Sequence, residues 1–269
     1  MEAELPKRIA VLGAGVMGEA LISALISSGV KPASISITEK RGDRAAYLVE
    51  KYGVENLELS ENVRACQAIL LVVKPQDMLD LLIAIAPKLS PGALLISFAA
   101  GKSIEFIAAQ VGSVNPIVRV MPNTPALIGE GMAAISLGPN VSPGQRGFVL
   151  DFLAATGKVV EVDENLQDAV TAVSGSGPAY FFAFVEAMIS AGEEMGLSRE
   201  VATELTVQTF VGAAQLLAKS GKSAKALREN VTSPNGTTAA ALQSFADADL
   251  PKIVSQAMRA ARDRSQELA

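Results

Sequence analysis

The sequence predicts an α/β protein in which an N-terminal doubly wound parallel sheet is followed by an all-helical domain. Three observations carry this. Short apolar runs alternate with helical stretches through the first part of the chain. A glycine pattern, Gly13-Ala14-Gly15-Val16-Met17-Gly18, stands directly after the first apolar run and opens the first helical stretch. After Asp163 the strand patterns disappear and long helical patterns take over. Alternating strands and helices imply a parallel sheet covered on both faces. The predicted domains are 1–163 and 164–269.

Each element has its own local signal. Arg8 to Leu12 is a short, almost continuous apolar run. Met17 to Ser28 reads as helix, closed by Gly29. Ser34 to Thr38 alternates like a strand, and Asp43 to Tyr52 reads as helix with Gly53 in the stop position. Ala68 to Val73 is a buried-strand run cut by Pro75; Met78 to Leu89 reads as helix before Pro91-Gly92 turns the chain. Leu94 to Phe98 is strand, Ser103 to Gln110 helix and Pro116 to Val120 strand. A less regular piece follows, with a strand near Met132 to Leu137, a helix near Pro143 to Ala155 and a strand at Lys158 to Val162. Helices are then predicted over about 164–173, 178–195, 199–219, 222–230, 236–246 and 250–267.

Composition narrows the function. The chain has 269 residues, 49% hydrophobic and 19% charged, which permits a substantial core and leaves little for disordered segments. A net charge of −5 and the lack of a Lys/Arg block argue against a nucleic-acid surface. The single cysteine, Cys66, excludes an internal disulfide, fits a reducing compartment and reads as a buried small hydrophobe beside Ala68 to Val73. There is no histidine, so histidine triads, histidine metal sites and histidine acid–base catalysis are excluded, and no metal is expected. The run Ile9 to Val16 is broken by Gly13 and Gly15 and follows Met1-Glu2-Ala3-Glu4, so it reads as neither leader nor membrane span; a cytoplasmic protein without membrane contact is expected. Stretches such as Ala179 to Ala191 are apolar on more than one face. A helical block of about 105 residues buries little alone, so this half is predicted to pair with a second copy, giving a dimer or larger assembly.

The glycines at 13, 15 and 18 form the G-x-G-x-x-G fingerprint of a Rossmann-type dinucleotide site, in the strand-to-helix context that such a site requires. Gly13 allows the tight turn, Gly15 lets a pyrophosphate approach the backbone, and Gly18 allows close helix–strand packing. After the second strand comes Thr38-Glu39-Lys40-Arg41. Glu39 favours the ribose hydroxyl of NAD, whereas Lys40 and Arg41 favour the 2′-phosphate of NADP, and both readings stand. Ligands of open α/β sheets bind outside the carboxyl ends of strands, which adds Val73-Lys74-Pro75, Ala99-Ala100-Gly101 and Met121-Pro122-Asn123-Thr124 as cofactor-binding candidates. In the helical half, Val231-Thr232-Ser233-Pro234-Asn235-Gly236-Thr237-Thr238 crowds hydroxyls, a proline and a glycine ahead of an apolar run. It reads either as a hydroxyl-rich cap, with Pro234 in the first helical turn, or as a helix start that holds a carboxylate.

Together these segments resemble pyrroline-5-carboxylate reductase over nearly the whole chain. The most specific are Val73-Lys74-Pro75, Arg119 to Pro125, Ser174-Gly175-Ser176-Gly177-Pro178-Ala179-Tyr180 and Val231 to Thr238. The resemblance implies a Rossmann domain, a helical domain that intertwines with its twin, and dimers that commonly assemble into a decamer of five. It implies that Thr238 is catalytic and hydrogen-bonds the substrate ring nitrogen, that the backbone around Gly236, Thr237 and Thr238 holds the carboxylate, that Ser233 is substrate-binding, and that Ser174, Gly175, Ser176, Gly177 and Pro178 shape the substrate pocket. Asn62 matches a position that touches the adenosine ribose. NADPH is implied as cofactor, with NADH also used, and the reaction is hydride transfer from the nicotinamide to a cyclic imine. The usual Ser-Pro-Gly-Gly here reads Ser233-Pro234-Asn235-Gly236, and asparagine tolerates a left-handed backbone. A chain without histidine suits this chemistry, because a protonated imine is already electrophilic. A β-hydroxyacid dehydrogenase would carry a lysine on the first long helix after the nucleotide domain, yet no Lys or Arg lies between Lys158 and Arg199. A reductase of another cyclic imine and a non-catalytic NAD(P)-binding dimer are the remaining alternatives.

Overall fold

Strand β1 (Ile9–Leu12) is buried along its whole length, and it sits inside a sheet whose strands are mostly apolar and parallel. The computed structural model describes residues 6–64 and 66–268, so the segment Met1-Glu2-Ala3-Glu4 lies outside the described residues. In chain order the first unit contains α1 (Val16–Ser27), β2 (Ile35–Thr38), α2 (Gly42–Tyr52), β3 (Glu55–Asn56), α3 (Leu59–Asn62), β4 (Ala68–Leu71) and α4 (Met78–Ile85). It continues through β5 (Leu94–Ser97), α5 (Ile104–Val111), β6 (Ile117–Met121), β7 (Gly131–Leu137), α6 (Pro143–Ala154) and β8 (Gly157–Glu161). The strands lie in the order β3-β2-β1-β4-β5-β6-β7-β8. Residues that alternate along each strand face opposite layers. Ile9, Val11 and Val118 pack with α1 and α6 on one face, and Ala10, Leu12 and Ile117 pack with α4 and α5 on the other.

Two expectations need correction, and two short elements escape the sequence pattern. The sheet is parallel from β3 to β6, but β7 runs antiparallel to β6, and β8 is parallel to β7. Residues 122–130 are too few for a crossover, which takes a dozen or more, so the chain folds straight back. The helix expected over Met78 to Leu89 ends at Ile85 and tightens into a 3₁₀ turn, Ala86–Lys88, because Pro87 has no N–H to continue the α-helical ladder. Edge strand β3 and the one-turn helix α3 carry no apolar periodicity and escape a reading by pattern.

Beyond β8 the chain is helical. Helix α7 (Gln167–Val170) passes into a π-helical turn, Thr171–Gly175, and then α8 (Gly177–Glu194), α9 (Arg199–Lys219), α10 (Ala224–Asn230), α11 (Thr237–Asp247) and α12 (Leu250–Glu267) follow. Among the described residues, those up to Ser176 together with 261–268 form one compact unit, and Gly177–Ala260 form the other. Within the second unit α8 and α9 pack together, with Phe210 edge-on to Phe181 and Phe184 at ring-centroid distances of 5.0 and 6.0 Å. Yet among the described residues of α8 to α11 only Gly192, Ala202 and Thr206 are buried. Phe182, Met195, Leu205 and Leu216 are more than half exposed. A unit that buries so little of its apolar surface alone requires a partner. The helical run Glu164–Glu194 is long and apolar enough to cross a membrane by length and composition, but Gly175, Gly177 and Pro178 interrupt it with a π turn and a helix restart.

Candidate active site

The bend after β1 is built on steric necessity at two glycines and openness at the third. Gly13 has φ +93°, and a side chain there would run into the Val72 carbonyl. A Cβ on Gly18 would overlap the Gly13 carbonyl, whereas one on Gly15 would meet nothing within 4 Å. Gly13 and Gly18 therefore close the bend, and Gly15 leaves its outer face clear. Gly15 is also the N-cap of α1 and contributes no side-chain cap, so the first-turn amides are available to an anion. Ala14 is buried beneath the bend, Met17 packs against the core and Val16 stands exposed at its tip.

Outside the carboxyl ends of β1, β2 and β4 lies a cavity of about 810 Å³, lined by Gly13, Thr38, Glu39, Lys40, Val72, Val73 and Lys74 among others. It thus gathers five of the cofactor candidates. Pro75 opens the 3₁₀ turn Pro75–Asp77 that carries the chain past the cavity. Arg41 is not among the lining residues; its backbone N–H donates to Glu39 Oε1 at 3.0 Å, and its guanidinium stays largely exposed. Asn62 lies at the end of the one-turn helix α3. It is 1% exposed, accepts from the Ser36 hydroxyl and donates Nδ2–H to Thr38 Oγ1 at 2.9 Å. Its amide braces the end of β2.

A second corner forms where β5 and β6 end. Ala99 is buried and Ala100 half-buried. Gly101, expected at the cofactor, serves packing: at φ +74° it lies so close to the end of α12 that a Cβ would sit 2.7 Å from the Ser265 carbonyl oxygen. After β6, Pro122 is buried and Thr124 starts a 3₁₀ turn. Asn123 bridges this turn, accepting from the Met132 N–H at 2.9 Å and donating Nδ2–H to Ser174 Oγ at 3.2 Å. The Met121 side chain closes against Gly175. Ser174 and Gly175 end the π turn, where Ser176 N–H reaches the Thr171 carbonyl at 2.8 Å. Ser176, Gly177 and Pro178 follow, half-buried. A single π turn of this kind recurs at functional positions.

Two charged clusters carry no sequence signal as functional features. Buried Arg119 on β6 pairs with Glu164 at 3.4 Å and Asp168 at 3.5 Å, and Asp168 accepts from the Ser265 hydroxyl at 2.7 Å. The segment that leaves the sheet and the helix end that returns to it are thereby pinned to one guanidinium. The second cluster centres on Glu19 of α1, which receives Arg44, Lys51 at 2.9 Å and Tyr52 OH at 3.0 Å. Burial raises the Glu19 pKa, but the hydrogen bonds from Lys51, Arg44 and Tyr52 outweigh it and hold the group at about 2, down from 4.5. A carboxylate with a depressed folded-state pKa stabilises the fold above 4.5, and that contribution fades as pH falls through about 2. Glu19→Gln is therefore expected to be less stable at neutral pH and to lose less stability than the parent between pH 4.5 and 2. Thermal melts across that interval check it; parallel curves would refute it.

In the helical unit, Gly236 N–H bonds back to the Ser233 carbonyl at 3.0 Å, closing a turn with Pro234 and Asn235 at its centre. Pro234 thus lies in the turn and not in the first helical turn as expected, since its fixed φ suits the second position of a β-turn. Asn235 takes φ +59°, the left-handed conformation that the unusual Ser-Pro-Asn-Gly order demands. Thr232 is turned back to the Arg228 carbonyl at 2.6 Å. Helices α5, α6, α9 and α10 begin on Ser103, Ser142, Ser198 and Ser223, each capping an amide with its hydroxyl. Helix α11 begins on Gly236, with no side-chain cap, and its first bond to Gly236 runs from Ala240 at 3.1 Å. The amides ahead of Ala240, with Thr237 exposed and Thr238 half-buried, emerge from the helix start. A Cβ on Gly236 would collide with the Ser233 hydroxyl, so the turn keeps this glycine for space as well.

Comparison with known proteins places the chain in a family. Residues 164–268 match the family model for pyrroline-5-carboxylate reductase dimerisation, and residues 8–101 match that for NADP oxidoreductase, coenzyme F420-dependent. The chain is 43% identical over 264 residues to pyrroline-5-carboxylate reductase of Pseudomonas aeruginosa, covering 97% of both chains. It is 40% identical to that of Corynebacterium melassecola, covering 97% of this chain and 98% of the other. Its structure matches Plasmodium falciparum pyrroline carboxylate reductase with NADP bound, at a TM-score of 0.88 and 32% identity over 100% of this chain and 99% of that one. With these relatives spanning nearly its full length, the chain belongs to the pyrroline-5-carboxylate reductase family.

Proposed function

We infer that this protein reduces 1-pyrroline-5-carboxylate to L-proline with NAD(P)H, the last step of proline biosynthesis. The observation that carries the reading is the contrast in helix starts. Four helices are capped by serine, and α2, α3, α4 and α7 also lack a side-chain cap, but among the helices with an assigned N-cap α1 and α11 start on glycine, which leaves no side chain over their first-turn amides. An open first turn attracts anions: the pyrophosphate at Gly15 and the substrate carboxylate at Gly236 to Thr238. When bound, the reduced nicotinamide supplies the hydride. The imine carbon takes it, and the protonated ring nitrogen becomes the secondary amine of proline.

Cofactor binding is assigned to Gly13 through Gly18, Glu39, Lys40, Val73, Lys74 and Pro75, with Arg41 at the rim. Ala99, Ala100, and Met121 through Thr124 form the nicotinamide corner, with Asn62 and Gly101 supporting from behind. Ser174 through Pro178, Ser233 and Gly236 through Thr238 bind the imine, and Thr238 orients its nitrogen. The functional division falls at 163/164, with the second part pairing two copies into a homodimer and five dimers into a decamer. A cytoplasmic protein, free of membrane, metal and nucleic acid, completes the reading. The test is absorbance of NADPH and of NADH on adding pyrroline-5-carboxylate to the full chain, with both cofactors run because the cavity sets Glu39 beside Lys40. Oxidation with formation of proline is expected. A flat trace with both, beside an active control reductase, refutes it.

A further inference from the structure

The glycine-rich bend is held from behind by a residue outside its fingerprint. Arg44, in the first turns of α2, donates Nε–H to the Ala14 carbonyl at 3.1 Å and Nη2–H to the Gly15 carbonyl at 3.2 Å, and it also pairs with Glu19. A trans peptide places its carbonyl and its amide on opposite sides of one rigid plane. Fixing the Ala14 carbonyl therefore fixes the Gly15 N–H, and fixing the Gly15 carbonyl fixes the Val16 N–H. These two amides stand at the start of α1, where the open face of Gly15 leaves room for an anion.

The bend needs such a brace. Glycines hold no preferred backbone conformation, and nothing contacts the outer side of Gly15. Arg44 is itself immobilised: Glu19 pairs with the same Nη2 that reaches the Gly15 carbonyl, Lys51 and Tyr52 hold Glu19, and the guanidinium lies 5.3 Å from the Tyr47 ring centroid. A planar fork spans two carbonyls and a carboxylate together, which the point charge of lysine does not. Its positive charge also lies behind amides that face a phosphate.

We propose that Arg44 is a positioning residue for the dinucleotide, orienting the Gly15 and Val16 amides toward the pyrophosphate, with Glu19 keeping it in place. This rests on the reading of the bend as the cofactor site. The test uses the full chain, with NADPH and NADH fluorescence titrations beside steady-state kinetics on Arg44→Ala, Arg44→Lys and Glu19→Gln. Arg44→Ala is expected to raise the cofactor Kd and KM by about tenfold or more, with the loss in cofactor KM rather than in kcat or the imine KM. Arg44→Lys recovers part of the affinity, and Glu19→Gln shifts it in the same direction by less. A purely structural residue would lower the folded fraction, and so the apparent kcat, without moving the Kd of the folded remainder. Unchanged cofactor Kd in Arg44→Ala, or equal losses in both Arg44 variants together with unchanged Glu19→Gln, overturns the role of Arg44 alone. Failure of the parent chain to bind either cofactor overturns the reading of the bend and this proposal with it.

Discussion

Thr238→Ala is expected to lower turnover by about 10²-fold while leaving affinity for the reduced cofactor unchanged. The hydroxyl is the side-chain group that the open start of α11 adds to its amides, and Thr238 is half-buried there. In the proposed reaction the imine is already activated by its proton, so orientation carries most of the catalysis. A ring free to turn about its anchored carboxylate would present the wrong carbon to the hydride. In the proposed site the carboxylate is held by backbone amides, which the substitution leaves in place, so the imine KM should change less than kcat. Thr238 lies in the unit Gly177–Ala260, and the glycine-rich bend in the other. Cofactor titration and single-turnover rates on the variant separate the two effects. Unchanged turnover would remove Thr238 from the mechanism.

Gly18→Ala is expected to be a strongly damaging single-methyl change at the glycine-rich bend. Its Cβ would overlap the Gly13 carbonyl, a backbone atom that cannot swing aside as a flexible side chain would. Relief requires α1 to back away from the bend or Gly13 to shift, and Gly13 is already wedged beneath the Val72 carbonyl with its N–H bonded to Thr38 at 3.2 Å. Overpacking of this kind costs about 1–3 kcal/mol, and the displaced amides lose their alignment on the pyrophosphate. A fall in melting temperature together with at least tenfold weaker cofactor binding is the expected outcome. Gly15→Ala makes the control: with nothing within 4 Å it should melt like the parent yet bind cofactor less well, because its methyl intrudes on the ligand face alone. Equal behaviour of the two variants would show that the bend does not work as described.

What the sequence revealed was local. The long helices after Gly177 appear close to where their apolar periodicity placed them, because a helix is specified by near neighbours, whereas the helix expected over 164–173 divides into a 3₁₀ turn, α7 and a π turn. Gly13 and Gly18 were legible because each meets backbone within the same strand–turn–helix neighbourhood or the adjacent strand. Edge strand β3 was invisible because two exposed residues carry no periodicity. The antiparallel β7 depends on how far residues 122–130 can reach, which periodicity does not encode.

The amino-acid sequence by itself determined most of the order of elements, the glycine-rich bend ahead of α1, the hydroxyl-rich loop ahead of α11, and the family to which they point. The tertiary structure alone decided that Gly101 receives the far end of the chain, that Asn62 spends its amide inside the sheet, and that Arg119 and Arg44 reach across helices to carbonyls and carboxylates. The physical reason is range. Caps, turns and periodicity act between residues a few positions apart, whereas the partner of a long polar side chain is fixed by which packed surfaces meet.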